Sequence, residues 1–497
     1  MRERASRLLA LAVLILGVSI IGFITKDFAF ALQREPANAI YIPIVHIRSQ
    51  QASSDLTITH MGLYQSVQSH SNDVVLIARK PAILRIFARQ SQSTGLPVTS
   101  RIRVDARSGG QFLGSVTSDA EAVSANPSIE NMDSTFNLDL PVEWLSGELE
   151  LTATVDDADV FAELNEANNT IRSRFLFNEV APLKLTIVPI TYTDTVTGKT
   201  YSKPGYDPIS DWLQSAFPVS EVIVDIHAPL AFTGDLRRAD DWILLLQTMT
   251  TLWGNEVGPG SSHIYYGLIP NSSADGGSWF SGGYSGLGWI GQRVSIGIDV
   301  GPDTASVAAH EIGHNLGRRH APCGNPSGVD PNFPYANASI GVYGVDTLAD
   351  TLLAPDRTHD IMSYCGPEWV SDYTYEALFH DQSIRGNKSG TTGDGAFITA
   401  LVDESGIDAS GDHVASGDHV ANANGQIQVQ IVDRKGIVLG TYPADVYTAE
   451  EEGVSVTMLG AFVPMTDSGQ MIKKFRFING DTVLAERMAQ DALPPQE

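Results

Sequence analysis

Cysteine and basic side chains are scarce in this chain of 497 residues. It has only two cysteines, Cys323 and Cys365, which excludes a disulfide-dense scaffold as the source of its stability. It has 32 lysines and arginines against 58 aspartates and glutamates, so its formal net charge is -26. Such a charge repels phosphate backbones and anionic lipid headgroups. We therefore expect no nucleic-acid partner.

Long apolar runs are also scarce, because the sequence has one, over residues 8–24. Three arginines precede this run, and a small-residue motif ending at Ala31 follows it. The pattern predicts that residues 1–31 are an export signal. The run lies at the short limit of a membrane span, so an uncleaved anchor is the alternative. Under either reading we expect the rest of the chain to be secreted or to lie outside the cytoplasm. If the signal is retained, residues 8–24 would anchor the chain to the membrane.

The chain is too long for a single hydrophobic core, and we expect three domains. Short apolar runs separated by turn residues predict a β-sandwich over residues 52–178. The clearest of these runs are 82–87, 101–104 and 149–155. Residues 155–169 contain an acidic turn and an Asn-Asn pair before the last strand, and they resemble the CARDB-like immunoglobulin-type domains of bacterial surface proteins. The acidic turn is either a calcium site or a solvated loop, and the solvated loop is the more common use of carboxylates.

Residues 182–385 change to alternating strand and helix patterns, which predict a mixed α and β domain. The strand patterns are 184–190, 221–226, 263–269 and 293–298, and the helix patterns are 209–217 and 237–253. Residues 386–395 have the composition of a flexible linker. A second β-rich domain is predicted over 396–497, with strand candidates at 396–402, 426–432 and 474–478.

The segment HEIGHNLGRRH, from His310 to His320, carries the clearest chemical signal. His310 and His314 are four residues apart, so on a helix they share one face and can bind one metal ion. Gly317 allows the left-handed conformation that ends helices, which makes His320 a candidate third ligand. Glu311 lies beside the first ligand, where it can reach a water at the metal. Three protein ligands leave a position open, as in catalytic zinc sites.

Ordinary surface histidines are the alternative, but a chance match at five specified positions has a probability of about one in ten thousand. The segment resembles the extended zinc motif of the metzincin clan of metallopeptidases. Residues 360–364 resemble the Met-turn of that clan, in which Met362 would form an apolar floor beneath the ligands. Tyr364 matches a tyrosine that can ligate zinc and stabilise an oxyanion in the astacin-like and serralysin-like branches. A buried structural tyrosine is the equal alternative. Ala321 fits neither branch, so the subfamily stays open.

The resemblance implies a fold class and an activity. The expected fold is multidomain α+β, with a metzincin-like catalytic domain of a twisted sheet plus an active-site helix. β-Sandwich-like domains would flank it on both sides. The expected activity is that of an exported zinc endopeptidase acting on extracellular proteins or glycoproteins. Zn²⁺ would be held by His310, His314 and His320, with Glu311 as the general base.

A competing class is a cell-surface adhesion or carbohydrate-binding protein in which the zinc domain is secondary. The intact Glu311 favours the enzyme. Residues 276–291, rich in glycine and aromatics, lie where metzincins have the edge strand that pairs with an extended substrate. A glycine-rich hairpin with packed aromatics is the alternative for this segment.

The two cysteines each follow a landmark of the expected site by three residues. Cys323 follows His320, and Cys365 follows Met362. We therefore predict a structural disulfide that ties the loop of the third ligand to the Met-turn. A thiolate bound to the metal is the alternative.

Overall fold

The computed structural model describes residues 54–91, 98–202, 204–205, 208–258, 261–272, 277–381, 384, 395–402, 427–451, 454–464 and 472–489. The predicted export segment and residues 386–394 of the predicted linker lie outside these ranges. Within them, no helix is both long and apolar enough to cross a membrane. The domain boundaries drawn from the sequence stay predictions.

The N-terminal region consists of short strands in two main sheets. Its strands are β1 (Asp55–Tyr64), β2 (Val67–Gln68), β3 (Leu76–Ile77), β4 (Ile83–Ser91), β5 (Thr99–Ser100), β6 (Ile102–Ser108), β7 (Gln111–Thr117), β8 (Glu121–Ala122), β9 (Phe136–Asp139), β10 (Glu148–Val155) and β11 (Thr170–Asn178). One sheet has the order β1-β4-β9 and the other β3-β11-β10-β6-β7. Every second residue of β10, from Leu149 to Val155, is buried in a core that includes residues of both sheets. This period of two is that of a strand with one face inward, so the region is sandwich-like, as predicted.

The central region places helices on both faces of a mainly parallel sheet. Its elements are β12 (Leu183–Asp194), β13 (Thr200–Tyr201), α1 (Ile209–Ala216), β14 (Val222–Ile226), β15 (Leu230–Gly234), α2 (Ala239–Glu256), β16 (Ile264–Ile269), β17 (Gly286–Gly288), β18 (Val294–Ile298), α3 (Thr304–Asn315), β19 (Tyr343–Asp346), β20 (Thr351–Leu353), β21 (His359–Asp360), β22 (Glu368–Trp369) and α4 (Asp372–Phe379). The sheet order is β13-β12-β16-β18-β17, and β14 and β15 also pair with β12. Residues of α1 and α3 share a core with one face of this sheet, and residues of α2 share a core with the other.

Two features of this sheet position the site. Strands β16 and β18 are buried along their whole length, as expected of parallel strands covered on both faces. Strand β17 is antiparallel to β18 and ends the sheet order, so it is an edge strand. Helix α3 packs beneath β17 and β18, and its apolar residues Ala308 and Ile312 belong to the core. The polar face of α3 is left to line a cleft beside the edge strand.

The C-terminal region has strands β23 (Gly395–Val402), β24 (Gln428–Asp433), β25 (Val438–Pro443), β26 (Asp445–Glu451), β27 (Val454–Pro464), β28 (Ile472–Asn479) and β29 (Thr482–Met488). They form sheets of order β23-β27-β26 and β25-β24-β28-β29 around a core of their own. The region also shares a second core with the central region, because Phe397 and Tyr447 cluster with Trp253 and Trp289. In addition, Gln247 Nε2 in α2 donates to Thr399 Oγ1 at 3.2 Å. The C-terminal region is therefore packed onto the central one through α2.

The N-terminal region also contacts the central one through a buried lysine. Lys80 is 1% exposed, and its Nζ donates to the carbonyl oxygens of Gln214 and Ser215 at the end of α1. The bond to Ser215 is 3.0 Å long. Ser215 Oγ in turn donates to Asp346 Oδ1 at 2.8 Å. Lys80 thus satisfies carbonyls that the helix itself leaves unpaired.

Candidate metal centre

Helix α3 and the turn after it bring the three predicted histidines together. The helix ends at Asn315, and Gly317 follows with a φ of 84°, the left-handed conformation predicted for it. Arg318 N then donates to Gly313 O at 3.0 Å, which closes the end of the helix. This reversal directs the chain back along the helix, so that His320 meets His314. All three histidines are buried.

Each imidazole is oriented by a hydrogen bond from its Nδ1 to a backbone carbonyl oxygen. The three pairs are His310 with Ile361 O at 2.7 Å, His314 with Arg318 O at 2.8 Å and His320 with Ser327 O at 2.6 Å. With Nδ1 as the donor to a carbonyl, the Nε2 atom of a neutral ring presents a lone pair. Carbonyl partners of this kind fix ring orientation in metal sites. The rings are therefore held with three acceptor nitrogens facing one another.

These nitrogens are placed so that they can hold a metal ion. His314 Nε2 and His320 Nε2 are 3.2 Å apart, so with both rings neutral their lone pairs face each other. His310 Nε2 is buried and has no hydrogen-bond partner among the described residues. Burial, followed by the charge on His314, lowers the pKa of His310 to about 3, so this ring is neutral at physiological pH. Converging imidazoles of this kind fit a metal ion, and His310, His314, His320 and Glu451 together can hold one.

The turn containing Met362 closes the site from below. Met362 is buried, and its sulfur lies against Gly313, where an added Cβ would collide with it. The turn is held by Asp360, which accepts from Met362 N at 2.8 Å and from Ser371 N at 3.0 Å. Since Ile361 O in the same turn accepts from His310, one short segment supports both the helix and the first imidazole.

The disulfide predicted from the two cysteines is confirmed. Cys323 and Cys365 are bonded, with their Cα atoms 5.7 Å apart. Two backbone hydrogen bonds reinforce the link: Ala321 N donates to Met362 O at 2.8 Å, and Tyr364 N donates to Cys323 O at 3.0 Å. The loop that carries His320 is therefore attached to the Met362 turn by a covalent bond and by its backbone.

Glu311 lies in the cleft between α3 and the edge strand. It is 2% exposed, and its Oε2 has no hydrogen-bond partner among the residues that the structure describes. Its carboxylate fits against Gly286 and Gly288 of β17, and a Cβ on Gly286 would collide with it. Burial, followed by the charge of Glu451, raises the pKa of Glu311 well above its ordinary value. The glycine-rich composition of residues 276–291 was evident from the sequence, but the contact of these glycines with Glu311 was not predicted.

The second carboxylate of the site, Glu451, was missed by the sequence reasoning. Its Oε2 is 2.9 Å from His320 Nε2 and 3.7 Å from His314 Nε2. Its Oε1 accepts a hydrogen bond of 2.8 Å from Tyr364 Oη, and the same hydroxyl is 3.4 Å from His320 Nε2. Glu451 lies 131 residues after His320, at the end of β26, and no spacing pattern connects the two.

The cleft has a volume of about 200 Å³ and is lined by Gly286, His310, Glu311, Tyr364 and Glu451, among others. Two aromatics of the glycine-rich segment, Trp279 and Trp289, are buried in the core instead. These two therefore follow the packed-aromatic alternative for this segment.

No protein-family model and no curated protein matches this chain. Solved structures similar to it include the CARDB domain of a Pyrococcus furiosus protein. The crystal structure of that domain, in complex with di-metal ions, is 19% identical, covers 25% of this chain and 89% of its own, and has a TM-score of 0.16. The solution structure is 20% identical and covers 26% and 97%, with the same TM-score. A Paenibacillus cycloisomaltooligosaccharide glucanotransferase is 6% identical, covers 81% and 70%, and also has a TM-score of 0.16. The chain thus has a weak structural similarity to a CARDB domain over a quarter of its length.

Proposed function

We propose that this chain is an exported zinc-dependent endopeptidase with a metzincin-like catalytic domain over residues 182–385. One observation carries the proposal: three buried histidines converge beside a buried carboxylate, Glu311, on the helix that also carries His310 and His314. Ligands and a general base so close together are what metal-assisted hydrolysis requires. The proposed substrates are extracellular proteins or glycoproteins.

Zinc is the metal that best suits the ligands. Three imidazoles held by backbone carbonyls match the ligand type of catalytic zinc sites. When bound, zinc supplies Lewis-acid polarisation of a carbonyl and lowers the pKa of a coordinated water to about 7. His310, His314 and His320 would hold it, and the Met362 turn would keep their geometry fixed.

Glu311 is proposed as the general base. Its unpartnered Oε2 would accept a proton from water in the cleft as the water oxygen bonds to the substrate carbonyl carbon. The carboxyl group would then donate that proton to the amine nitrogen as the C–N bond breaks. General acid and base catalysis favours a carboxyl pKa above the ordinary value, and burial shifts the pKa of Glu311 in that direction. Glycines at 286 and 288 leave the room that this carboxylate needs.

Tyr364 and the edge strand complete the proposed site. Tyr364 Oη is close to His320 Nε2, where a phenol can donate to an oxyanion formed on the substrate carbonyl. Strand β17 borders the cleft at the edge of the sheet, and an extended peptide can add to such an edge through its backbone. Recognition through the backbone suits an endopeptidase.

The second candidate is a surface adhesion or carbohydrate-binding protein in which the metal is structural. Glu451 favours it, because three histidines and a carboxylate make a four-ligand set, and four protein ligands are typical of structural zinc sites. In that case the β-rich regions would provide the function.

Zinc content and hydrolysis together test the proposal. The exported chain and its Glu451→Ala variant are assayed for zinc by atomic absorption and for cleavage of a denatured protein. We expect about one zinc per chain, and cleavage by at least the variant. If both proteins hold zinc and neither cleaves, the adhesion alternative is supported and the peptidase proposal is wrong.

A further inference from the structure

We infer that Glu451 is an internal carboxylate ligand that would close the open position at the metal, so that the folded chain is latent until the Glu451 side chain withdraws. This inference rests on the proposed function, since it concerns regulation of the same site. Nothing in the sequence around the histidines indicates it.

The first support is the position of the carboxylate. Glu451 Oε2, together with the Nε2 atoms of the histidines, belongs to one group of ligand atoms that all lie within 4.8 Å of one another. Tyr364 Oη holds the other oxygen at 2.8 Å. A substrate carbonyl and Glu451 would therefore compete for the same position, and for the same tyrosine.

The second support is the cost of burying this charge. Glu451 is 7% exposed, and its ion-pair partners among the described residues are His314 and His320. A buried carboxylate is strongly unfavourable unless a cation compensates it. A metal ion held by the same imidazoles would supply that cation, and the position of Glu451 beside them fits this role.

The third support is the location of Glu451 at the end of a hairpin. Glu451 pairs with Val454 of β27 and is the last residue of β26. Tyr447 and Ala449, on the same face of the strand, are buried in the core shared with α2. Thr448 O also accepts from Ile290 N at 2.9 Å. The body of β26 is thus fixed, while Glu451 can leave the metal when only the last pair of the hairpin opens.

The neighbouring residue Glu450 adds only a weak contact at this end of β26. Glu450 Oε2 and Arg319 Nη1 are 3.4 Å apart, and the Arg319 side chain is 47% exposed. Exposed ion pairs of this kind contribute little to stability, about 0 to 1 kcal/mol. Withdrawal of Glu451 therefore depends mainly on the contacts that Glu451 itself makes with the imidazoles and Tyr364.

The test uses the cobalt-substituted full chain and acetohydroxamate, a small chelator that needs an open metal position. Binding is followed by the visible absorption of Co²⁺ in wild type, Glu451→Ala and Glu451→Gln. If Glu451 leaves the position open in a tenth of molecules or fewer, removing the carboxylate raises the apparent affinity for acetohydroxamate by about tenfold or more. Cleavage of a denatured protein should rise in the same variants. Asp445→Asn is the control, because it removes the same charge from the exposed start of the same strand.

Two results would overturn the inference. One is equal acetohydroxamate affinity in wild type, both Glu451 variants and the control. The other is loss of Co²⁺ from both Glu451 variants under conditions where the control retains it, which would make Glu451 a required structural ligand. Tighter acetohydroxamate binding without any cleavage would support the closing role of Glu451 and contradict the peptidase proposal, so the two failures are distinguishable.

Discussion

The sulfur of Met362 lies directly against Gly313, one residue before His314 in helix α3. An added Cβ at position 313 has no room, since the Met362 turn is held by the buried Asp360. Glycine costs helix stability at this position, so its presence reflects the close packing of the turn beneath the ligands.

Gly313→Ala is expected to destabilise the protein although alanine is the better helix former. Overpacking of a buried site costs about 1 to 3 kcal/mol, against a propensity gain of about 1 kcal/mol. Because the clash displaces the Met362 turn, zinc retention should fall as well. Urea unfolding and dialysis against a chelator measure the two effects. Gly254→Ala is the matched control: an added Cβ on Gly254 of α2 clashes with Phe397 of β23, so it should lower stability without weakening zinc binding. Equal zinc loss in both variants would contradict the role assigned to Met362.

Glu311→Gln should abolish peptide hydrolysis and leave zinc in place. Glutamine keeps the size of Glu311 but cannot accept the proton, and general-base loss costs about a hundredfold or more in rate. His314→Ala should lose both zinc and activity, because it removes one of three imidazole ligands. We would measure zinc content by atomic absorption and hydrolysis of a denatured protein. Each variant is tested both in the wild-type chain and in the chain that carries Glu451→Ala. Glu376→Gln, on α4 outside the cleft, is the control. A Glu311→Gln chain that still cleaves at the parent rate would exclude Glu311 as the base.

Replacing both Cys323 and Cys365 by serine should lower the free energy of unfolding by roughly 3 to 4 kcal/mol, because the bridge closes a long loop in the unfolded chain. Zinc retention should fall too, since the loop of His320 loses its covalent attachment to the Met362 turn. Urea unfolding with and without reductant checks this. Reductant should bring wild type to the midpoint of the double variant and leave the variant unchanged. A double variant as stable as wild type would show that the backbone hydrogen bonds alone hold the loop.

Phe397→Ala should cost about 3 to 5 kcal/mol, as for other buried phenylalanines. Phe397 is 1% exposed, and its ring centroid is 6.0 Å from that of Trp253 in α2. Phe112→Ala, at a position 52% exposed, should change stability by less than about 0.5 kcal/mol.

Because Phe397 packs on Trp253, a chain ending before Gly395 should expose the core around Trp253 and aggregate. A truncated chain that stays monomeric and binds zinc would show that residues 396–497 are an independent domain.

Lys80 should make stability rise with pH above neutrality. Burial lowers the pKa of Lys80 to about 7 against an ordinary 10.5, with Asp346 opposing the shift. Between these values the unfolded chain binds a proton that the folded chain does not, so the Lys80 contribution to stability increases with pH. The free energy of unfolding should then rise with pH by up to about 1.4 kcal/mol per pH unit. Urea unfolding of wild type and Lys80→Met at pH 7 and pH 9 measures the difference. Lys184→Met, at an exposed position, should keep the wild-type slope, and a Lys80→Met chain that also keeps it would contradict this account.

Much of the site could be predicted from the sequence because its signals are local. The spacing of His310 and His314 places both on one helix face through the helical repeat, and Gly317 marks the helix end through its freedom to adopt positive φ. The pairing of Cys323 with Cys365 followed from two landmarks expected to meet at the same metal. The strands of the N-terminal region could also be predicted from a local signal. Their short apolar runs reflect strand geometry, in which side chains alternate between two faces with a period of two.

Tertiary structure alone decided what surrounds the ligands. The carbonyls that accept from the Nδ1 atoms, the glycines that accommodate Glu311 and the core shared by Phe397 and Trp253 join segments with no common periodicity. Glu451 is the clearest case. It reaches His320 from 131 residues away because β26 packs on the core with Tyr447 facing inward, which places the end of its hairpin at the metal site. A sequence pattern reports which residues share a helix face or a strand face, whereas the contact between a hairpin end and a distant helix depends on how complete sheets pack together.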